Sequence, residues 1–215
     1  AALGISMIVD LIAYYKGMQQ TDLIGKLGIL VFIIVLGYES ISEAFEKIKE
    51  GQKADFYKEM AVTDTMTGVY NRSAFQEWEH ETSDYEGYSI ATFDLNNLKW
   101  CNDNLGHAAG DAYIQASARI IKEIFGSHGK CYRIGGDEFC TVINQKSKKF
   151  DNARHVKQLR ELEKYAEKEL GIKGLNVQIA CGYAGYDIKT DKNFEDTRSR
   201  ADKKMYESKR RLKRE

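Results

Sequence analysis

The sequence predicts an α/β sandwich with helices flanking a central, mostly antiparallel sheet, preceded by an N-terminal helical transmembrane segment. Three observations carry that expectation. Beyond about residue 70, apolar runs of strand character alternate with longer stretches of helical periodicity. Arg133–Phe139 reads Arg-Ile-Gly-Gly-Asp-Glu-Phe, two glycines between β-forming flanks, the pattern of a tight hairpin. The first 40 residues are apolar and unlike anything after them.

Ala1–Val9 and Leu27–Tyr38 are charge-free runs of 9 and 12 residues, shorter than the ~18 expected of a membrane span. The chain begins without Met, which fits a first helix cut at its start, and Lys26 can snorkel toward headgroups from a helix end. Residues 1–40 therefore read as a transmembrane hairpin with a loop from Lys16 to Asp22; a soluble hairpin packed on its own apolar faces is the competing reading. Ile41, Phe45 and Ile48 follow at spacings of four and three among Glu and Lys, a short coiled-coil seam broken near Gly51. Phe56 and Met60 continue an amphipathic helix. Residues 41–62 are thus a connector able to hold two copies side by side, and residues 63–215 form the remaining domain.

Within that domain a helix over about Arg72–Thr82 precedes a buried strand, Tyr88–Phe93, which Asp94 ends. A second helix, about His107–Phe125, carries Ile114, Ala118, Ile121 and Phe125 on one face. Lys130–Ile134 and Glu138–Asn144 are the hairpin strands, joined by a two-residue turn at Gly135 and Gly136 with positive φ. A charged helix over about Asn152–Leu170 ends at Gly171, Val177–Tyr183 is a strand, and a basic helix from about Phe194 closes the chain. Proline is absent, so no turn is pinned by one.

The chemistry concentrates in two segments. The hairpin brings Asp137 and Glu138 into one small volume, where like charges repel unless a cation sits between them. Asp94 stands at the carboxyl end of a strand, where open α/β sheets place ligands. If the two strands are neighbours, Asp94 and Asp137 converge. Two carboxylates and a backbone carbonyl, completed by water and phosphate oxygens, make a hard-oxygen shell for a magnesium–nucleotide complex.

With these segments in view, the chain resembles the GGDEF family of diguanylate cyclases from about Asp64 to Lys213. Four motifs stand in the family's order: Asp64-Thr-Met-Thr-Gly-Val-Tyr-Asn-Arg72, Asp94–Lys99, Asn102–Asp111, and Arg-Ile-Gly-Gly-Asp-Glu-Phe. A fifth, degraded one closes the chain as Ala201-Asp-Lys-Lys-Met-Tyr-Glu-Ser-Lys209. The resemblance implies a bacterial, membrane-tethered homodimer joining two GTP into cyclic di-GMP, with its catalytic domain on the cytoplasmic side of the inner membrane. It implies magnesium as cofactor, with manganese as a substitute, held by Asp94, Asp137 and the carbonyl of Leu95. Asp137 or Glu138 would accept the proton of the attacking hydroxyl; the sequence does not choose between them. Lys99, in a loop crossing the triphosphate, would neutralise phosphate charge with Lys209 and Lys213. Asn102 and Asp111 match the guanine readers, and Asp111 can accept from the guanine N1–H and 2-amino group. His107 is either a nucleotide contact or a helix cap. Asp64, Gly68, Asn71 and Arg72 would form a structural turn, Asp64 pairing with Arg72, while Arg133 supports the hairpin.

The chain departs from the family at three places. Asn96 replaces a second acid, and Leu212-Lys213 replaces Gly-Arg, which costs the bidentate guanidinium grip on phosphate. An Arg-x-x-Asp product-inhibition site is missing: Gly126 and Gly129 hold its two charged positions, with Ser127 and His128 between. These departures leave room for a catalytically silent GTP-binding regulator. An adenine-specific enzyme is disfavoured by Asp111, and a nucleotide-free scaffold leaves the ordered motifs unexplained.

The 215 residues carry 32 basic and 32 acidic side chains, a neutral total that is unevenly spread, and nothing resembles a nucleic-acid-binding motif. From Arg198 to Glu215, nine basic residues face three acidic ones. That end suits either a triphosphate or a solvated helix face. Cys101, Cys131, Cys140 and Cys181 have neither C-x-x-C nor zinc spacing and read as small buried hydrophobes in a reducing compartment.

Overall fold

A computed structural model describes residues 2–16, 22–145 and 150–214. The chain divides into two compact units, residues 1–57 and 58–215. In the first, α1 (Ala2–Tyr15) precedes the start of α2 (Asp22–Val62). The predicted loop between them falls largely outside the described residues. The 14 residues of α1 are fewer than a span needs, whereas the stretch Gly25–Lys53 of α2 is long and apolar enough to cross a membrane. Ile41, Phe45 and Ile48 are all exposed on α2. Helix α2 runs through Gly51, so the break in the seam there is not a break in the helix; one glycine costs a long helix only about 1 kcal/mol. The side chain of Phe56 lies outside the described set.

The second unit adds α3 (Arg72–Glu81), β1 (Tyr88–Leu95), α4 (Leu98–Leu105), α5 (His107–Phe125), β2 (Gly129–Arg133), β3 (Glu138–Asn144), α6 (Asn152–Leu170), β4 (Ile179–Gly185) and α7 (Phe194–Leu212). Local chemistry sets several ends. The side chains of Asn71, Asp151 and Asn193 accept from backbone N–H groups in the first turns of α3, α6 and α7, and Gly171 closes α6 in the left-handed region at φ 61°. The four strands pair antiparallel in the order β2-β3-β1-β4, which puts β1 at the centre.

Alternation along β1 sorts the layers. Ala91, Phe93 and Leu95 face a core shared with Tyr113, Ile121 and Phe125 of α5 and Leu159 of α6. Ile90 faces the opposite core, shared with Phe75 of α3 and with Phe194 and Ala201 of α7. Asp94 has the parity of Ile90 and so stands on the α7 side. Helix α7 rests directly on β4 at Gly182, where a Cβ would come within 2.0 Å of the Ala201 carbonyl oxygen and 2.3 Å of the Met205 nitrogen. The approach to α7 is held by Asp191, which accepts from the Asp187 N–H (2.9 Å), Thr197 Oγ1 (2.8 Å) and the Arg200 guanidinium. Burial pushes the Asp191 carboxyl up, but these donors outweigh it and bring it to about 2.

Candidate active site

The carboxyl end of β1 and the β2–β3 loop form the site. Directly opposite residues on antiparallel strands share a face, and Asp94 is opposite Glu138. The Leu95 N–H donates to the Asp137 carbonyl at 3.0 Å, which ties the loop to the strand end. Asp94 is 6 % exposed, Asp137 half-buried and Glu138 exposed. Burial pushes the Asp94 carboxyl above its usual value; the hydrogen bond and charge of Lys209 pull it down, Asp137 pushes it up and Lys213 pulls it down, and burial prevails. The strand register and the Leu95–Asp137 hydrogen bond put Asp137 at the same end of the sheet as Asp94.

The hairpin differs from the predicted two-residue turn. Ile134–Asp137 is a four-residue connection, and neither Gly135 nor Gly136 has positive φ. A Cβ on Gly135 would stand 2.9 Å from Glu138 Oε2 and 3.2 Å from its Cβ, so a side chain there would make the Glu138 side chain shift. Nothing in the structure explains Gly136. Arg133 holds the connection from below, donating to the Gly135 carbonyl at 3.2 Å and the Gly136 carbonyl at 2.8 Å. Its guanidinium also meets Asp64 at 3.2 Å. Asp64 therefore pairs with Arg133, not with Arg72: bridges from Tyr70 to Thr63 and Tyr132 bring its turn onto β2, while Arg72 opens α3. Burial raises the Asp64 carboxyl, but Thr67 and Arg133 outweigh it and hold it below the ordinary carboxylate value.

After β1, Asn97 adopts a left-handed conformation at φ 61°, which asparagine tolerates better than most residues, and turns the chain into α4. Lys99 thus lies on a helix, not on the predicted loop, and Asn102 follows it three residues on along one face. An eight-residue helix with no side-chain cap leaves little trace in sequence. Lys99 is exposed. Asn102 lies against the first turn of α5, because Gly110 lacks a Cβ that would otherwise stand 1.9 Å from Asn102 Oδ1. Asp111, one residue on, is exposed beside it. His107 is the first residue of α5 and exposed; the cap is Gly106, with no side-chain hydrogen bond, so the capping reading of His107 fails.

Lys209 reaches in from α7, its Nζ 2.6 and 2.7 Å from the two oxygens of Asp94. Lys213, one turn on, is exposed yet close enough to act on Asp94. Asn96 is fully buried with neither side-chain polar atom hydrogen-bonded, so it does not join the exposed rim of the site.

Two residues escaped the sequence reading. Tyr113 of α5 is fully buried; its hydroxyl accepts from the Gln178 N–H at 2.9 Å and shares its proton between the carbonyls of Asn96 (2.9 Å) and Gln178 (2.8 Å). It thereby pins the turn after Asp94 to the segment before β4. Glu163 of α6 accepts from the Ile179 N–H at 2.6 Å and pairs with Arg160 at 2.5 Å. Among helical residues neither carries a signal that marks it.

Among the described residues no three His, Cys, Asp or Glu side chains enclose a metal ion by themselves. Asp94 and Asp137 are hard oxygen donors, and they fit magnesium or manganese that completes its shell with backbone carbonyl, water and phosphate oxygens.

Comparison with known proteins gives a consistent picture. Residues 61–215 match the family model described as "Diguanylate cyclase, GGDEF domain". Diguanylate cyclase A of Treponema denticola is 34% identical over 128 residues, 58% of this chain and 33% of that protein. The cyclic di-GMP phosphodiesterase PdeB of Shewanella oneidensis is 35% identical over 128 residues, 57% of this chain and 15% of that protein. This chain thus spans a third or less of these relatives. The coiled coil and GGDEF domain of DgcB from Caulobacter crescentus, solved in complex with c-di-GMP, superposes with a TM-score of 0.64 at 21% identity, over 81% of this chain and 94% of that one, a likeness of fold.

Proposed function

Because the chain belongs to the family of diguanylate cyclase GGDEF domains, we propose that it is a diguanylate cyclase, condensing two GTP into cyclic di-GMP and two pyrophosphates. The observation that carries this reading is Asp94 facing the Asp137–Glu138 tip across one strand register, with Lys209 above it. A bound magnesium or manganese ion would supply charge neutralisation at the reacting phosphate, held by Asp94, Asp137 and the Leu95 carbonyl. Lys99, Lys209 and Lys213 would hold the triphosphate, while Asn102 and Asp111 read guanine and His107 contacts the nucleotide. Asp137 or Glu138 takes the proton of the 3′-hydroxyl as its oxygen bonds to the α-phosphorus and pyrophosphate leaves.

Each domain holds one GTP, so the reaction needs two copies facing each other. Exposed Ile41, Phe45 and Ile48 supply an apolar seam for that homodimer, and the apolar part of α2 that precedes them an anchor that keeps the domain at the cytoplasmic face of a membrane. The working division is residues 1–40 as anchor, 41–62 as connector and 63–215 as catalytic domain. The glycines at 126 and 129 argue that product does not inhibit through an Arg-x-x-Asp site; a cyclic di-GMP titration giving tight inhibition that mutations at 126 and 129 abolish would contradict that.

A second reading, a silent GTP-binding regulator, draws support from Asn96, Leu212 and Lys213 and from the likeness to a protein named as a phosphodiesterase. Incubating the full chain in detergent with magnesium and GTP, beside Asp137→Ala, separates the two. Cyclic di-GMP from the parent alone supports the cyclase; retained GTP binding without product supports the regulator.

A further inference from the structure

Lys209 does more in this site than a phosphate-binding lysine needs to do. Its ammonium straddles Asp94, within 2.6 and 2.7 Å of both oxygens. The carboxylate is 6 % exposed, so it has little other room in which to receive a cation. The placement is built in by the sheet. Gly182 lets α7 lie backbone to backbone on β4, and Ser208 Oγ accepts from the Cys181 N–H at 3.4 Å. The next residue, Lys209, is thereby delivered over the end of β1. Its four-carbon stem can swing without moving the helix.

We infer that Lys209 is a displaceable counter-ion: it competes with a divalent cation for Asp94 and, once displaced, becomes a ligand of the triphosphate. The inference rests on the reading of this site as one for a metal and GTP. A lysine and a divalent ion cannot both sit between the same two oxygens, because the two positive charges would be in contact. An ion arriving alone must expel an ammonium that has no new partner. An ion arriving with triphosphate gives that ammonium an anion in exchange. Lys209 therefore couples the two ligands, each raising the affinity for the other by the same factor. Asp137 and Lys213 also act electrostatically on Asp94, with opposite signs.

The test titrates the nucleotide-free full chain with manganese, counting free ion by electron paramagnetic resonance. Lys209→Gln should bind manganese about fivefold or more tighter than the parent. Lys209→Arg, whose fork grips the carboxylate at two points, should bind it more weakly, and Asp94→Asn should lose the ion. A GTP analogue with a methylene bridge between the α- and β-phosphorus, which cannot react, completes the cycle. The gain in its affinity on adding magnesium should be about fivefold or more greater in the parent than in Lys209→Gln. Equal or weaker manganese binding by Lys209→Gln, with the ion still lost in Asp94→Asn, overturns the inference and leaves the metal–GTP reading standing. Parent and variants that melt cooperatively yet bind neither manganese nor the analogue overturn both. Should Lys209→Gln fail to fold, the opposite-signed Lys209→Arg comparison decides.

Discussion

Gly182 of β4 and Ala201 of α7 meet backbone to backbone, so closely that one methyl group on Gly182 would stand 2.0 Å from the Ala201 carbonyl oxygen. That contact fixes how deep α7 sits, and so how far Lys209 reaches. Gly182→Ala should cost about 1–3 kcal/mol as the helix lifts, and should weaken GTP binding as well. Gly185→Ala, three residues along the same strand, meets only Ser89 Cβ at 3.9 Å and should leave both unchanged. Chemical denaturation and GTP titration of the two variants check the contrast.

Arg133 joins two motifs that lie 69 residues apart, holding Asp64 with one nitrogen and the loop carbonyls with others. Arg133→Met should cost the cyclase about tenfold or more in turnover, because the Asp137–Glu138 tip loses its support, while stability falls by only about 1–2 kcal/mol. Arg133→Lys should recover the charge but not the fork, and so only part of the rate. Steady-state kinetics beside thermal melts separates the two effects.

Tyr113→Phe removes one oxygen that serves three backbone groups. With the Gln178 N–H left unpaired in a partly buried site, the expected loss is about 1–3 kcal/mol. Urea unfolding measures it; a loss below about 0.5 kcal/mol would mean that water takes the hydroxyl's place.

Asp191 makes the fold acid-sensitive. Its carboxyl lies near 2 in the folded chain and near 3.9 in an unfolded one, so the folded form binds the proton less readily. The stabilisation is complete above about pH 4 and is lost as pH falls from there through about 2. Its size is about 1–2 kcal/mol, because Arg200 is partly exposed and screened. Asp191→Asn should flatten that part of the stability–pH curve, read by thermal melts between pH 2 and 6.

The elements that could be read in advance are those whose cause is local. The bounds of α5 follow from periodicity and of β3 from an apolar run behind Asp137, and α6 starts and stops at the capping residues Asp151 and Gly171. The approach of Asp94 to the hairpin was legible because Asp94 stands near the end of one strand and Glu138 at the start of another. What escaped depends on distant partners. Asp64 finds Arg133 because Tyr70 bridges to β2, and no neighbouring residue announces that. Helix α4 depends on a left-handed Asn97 and on packing beside α5. The two signature glycines suggested positive φ, whereas neither adopts it in the four-residue connection.

Gly129 opens β2 so near its neighbour that a Cβ would stand 1.8 Å from the Val142 carbonyl oxygen. An aspartate at this position would have to part the sheet's edge before its charge met any ligand. Gly129→Asp should therefore cost stability before it can serve regulation. A regulatory acid at this position would first require the edge between β2 and β3 to be rebuilt.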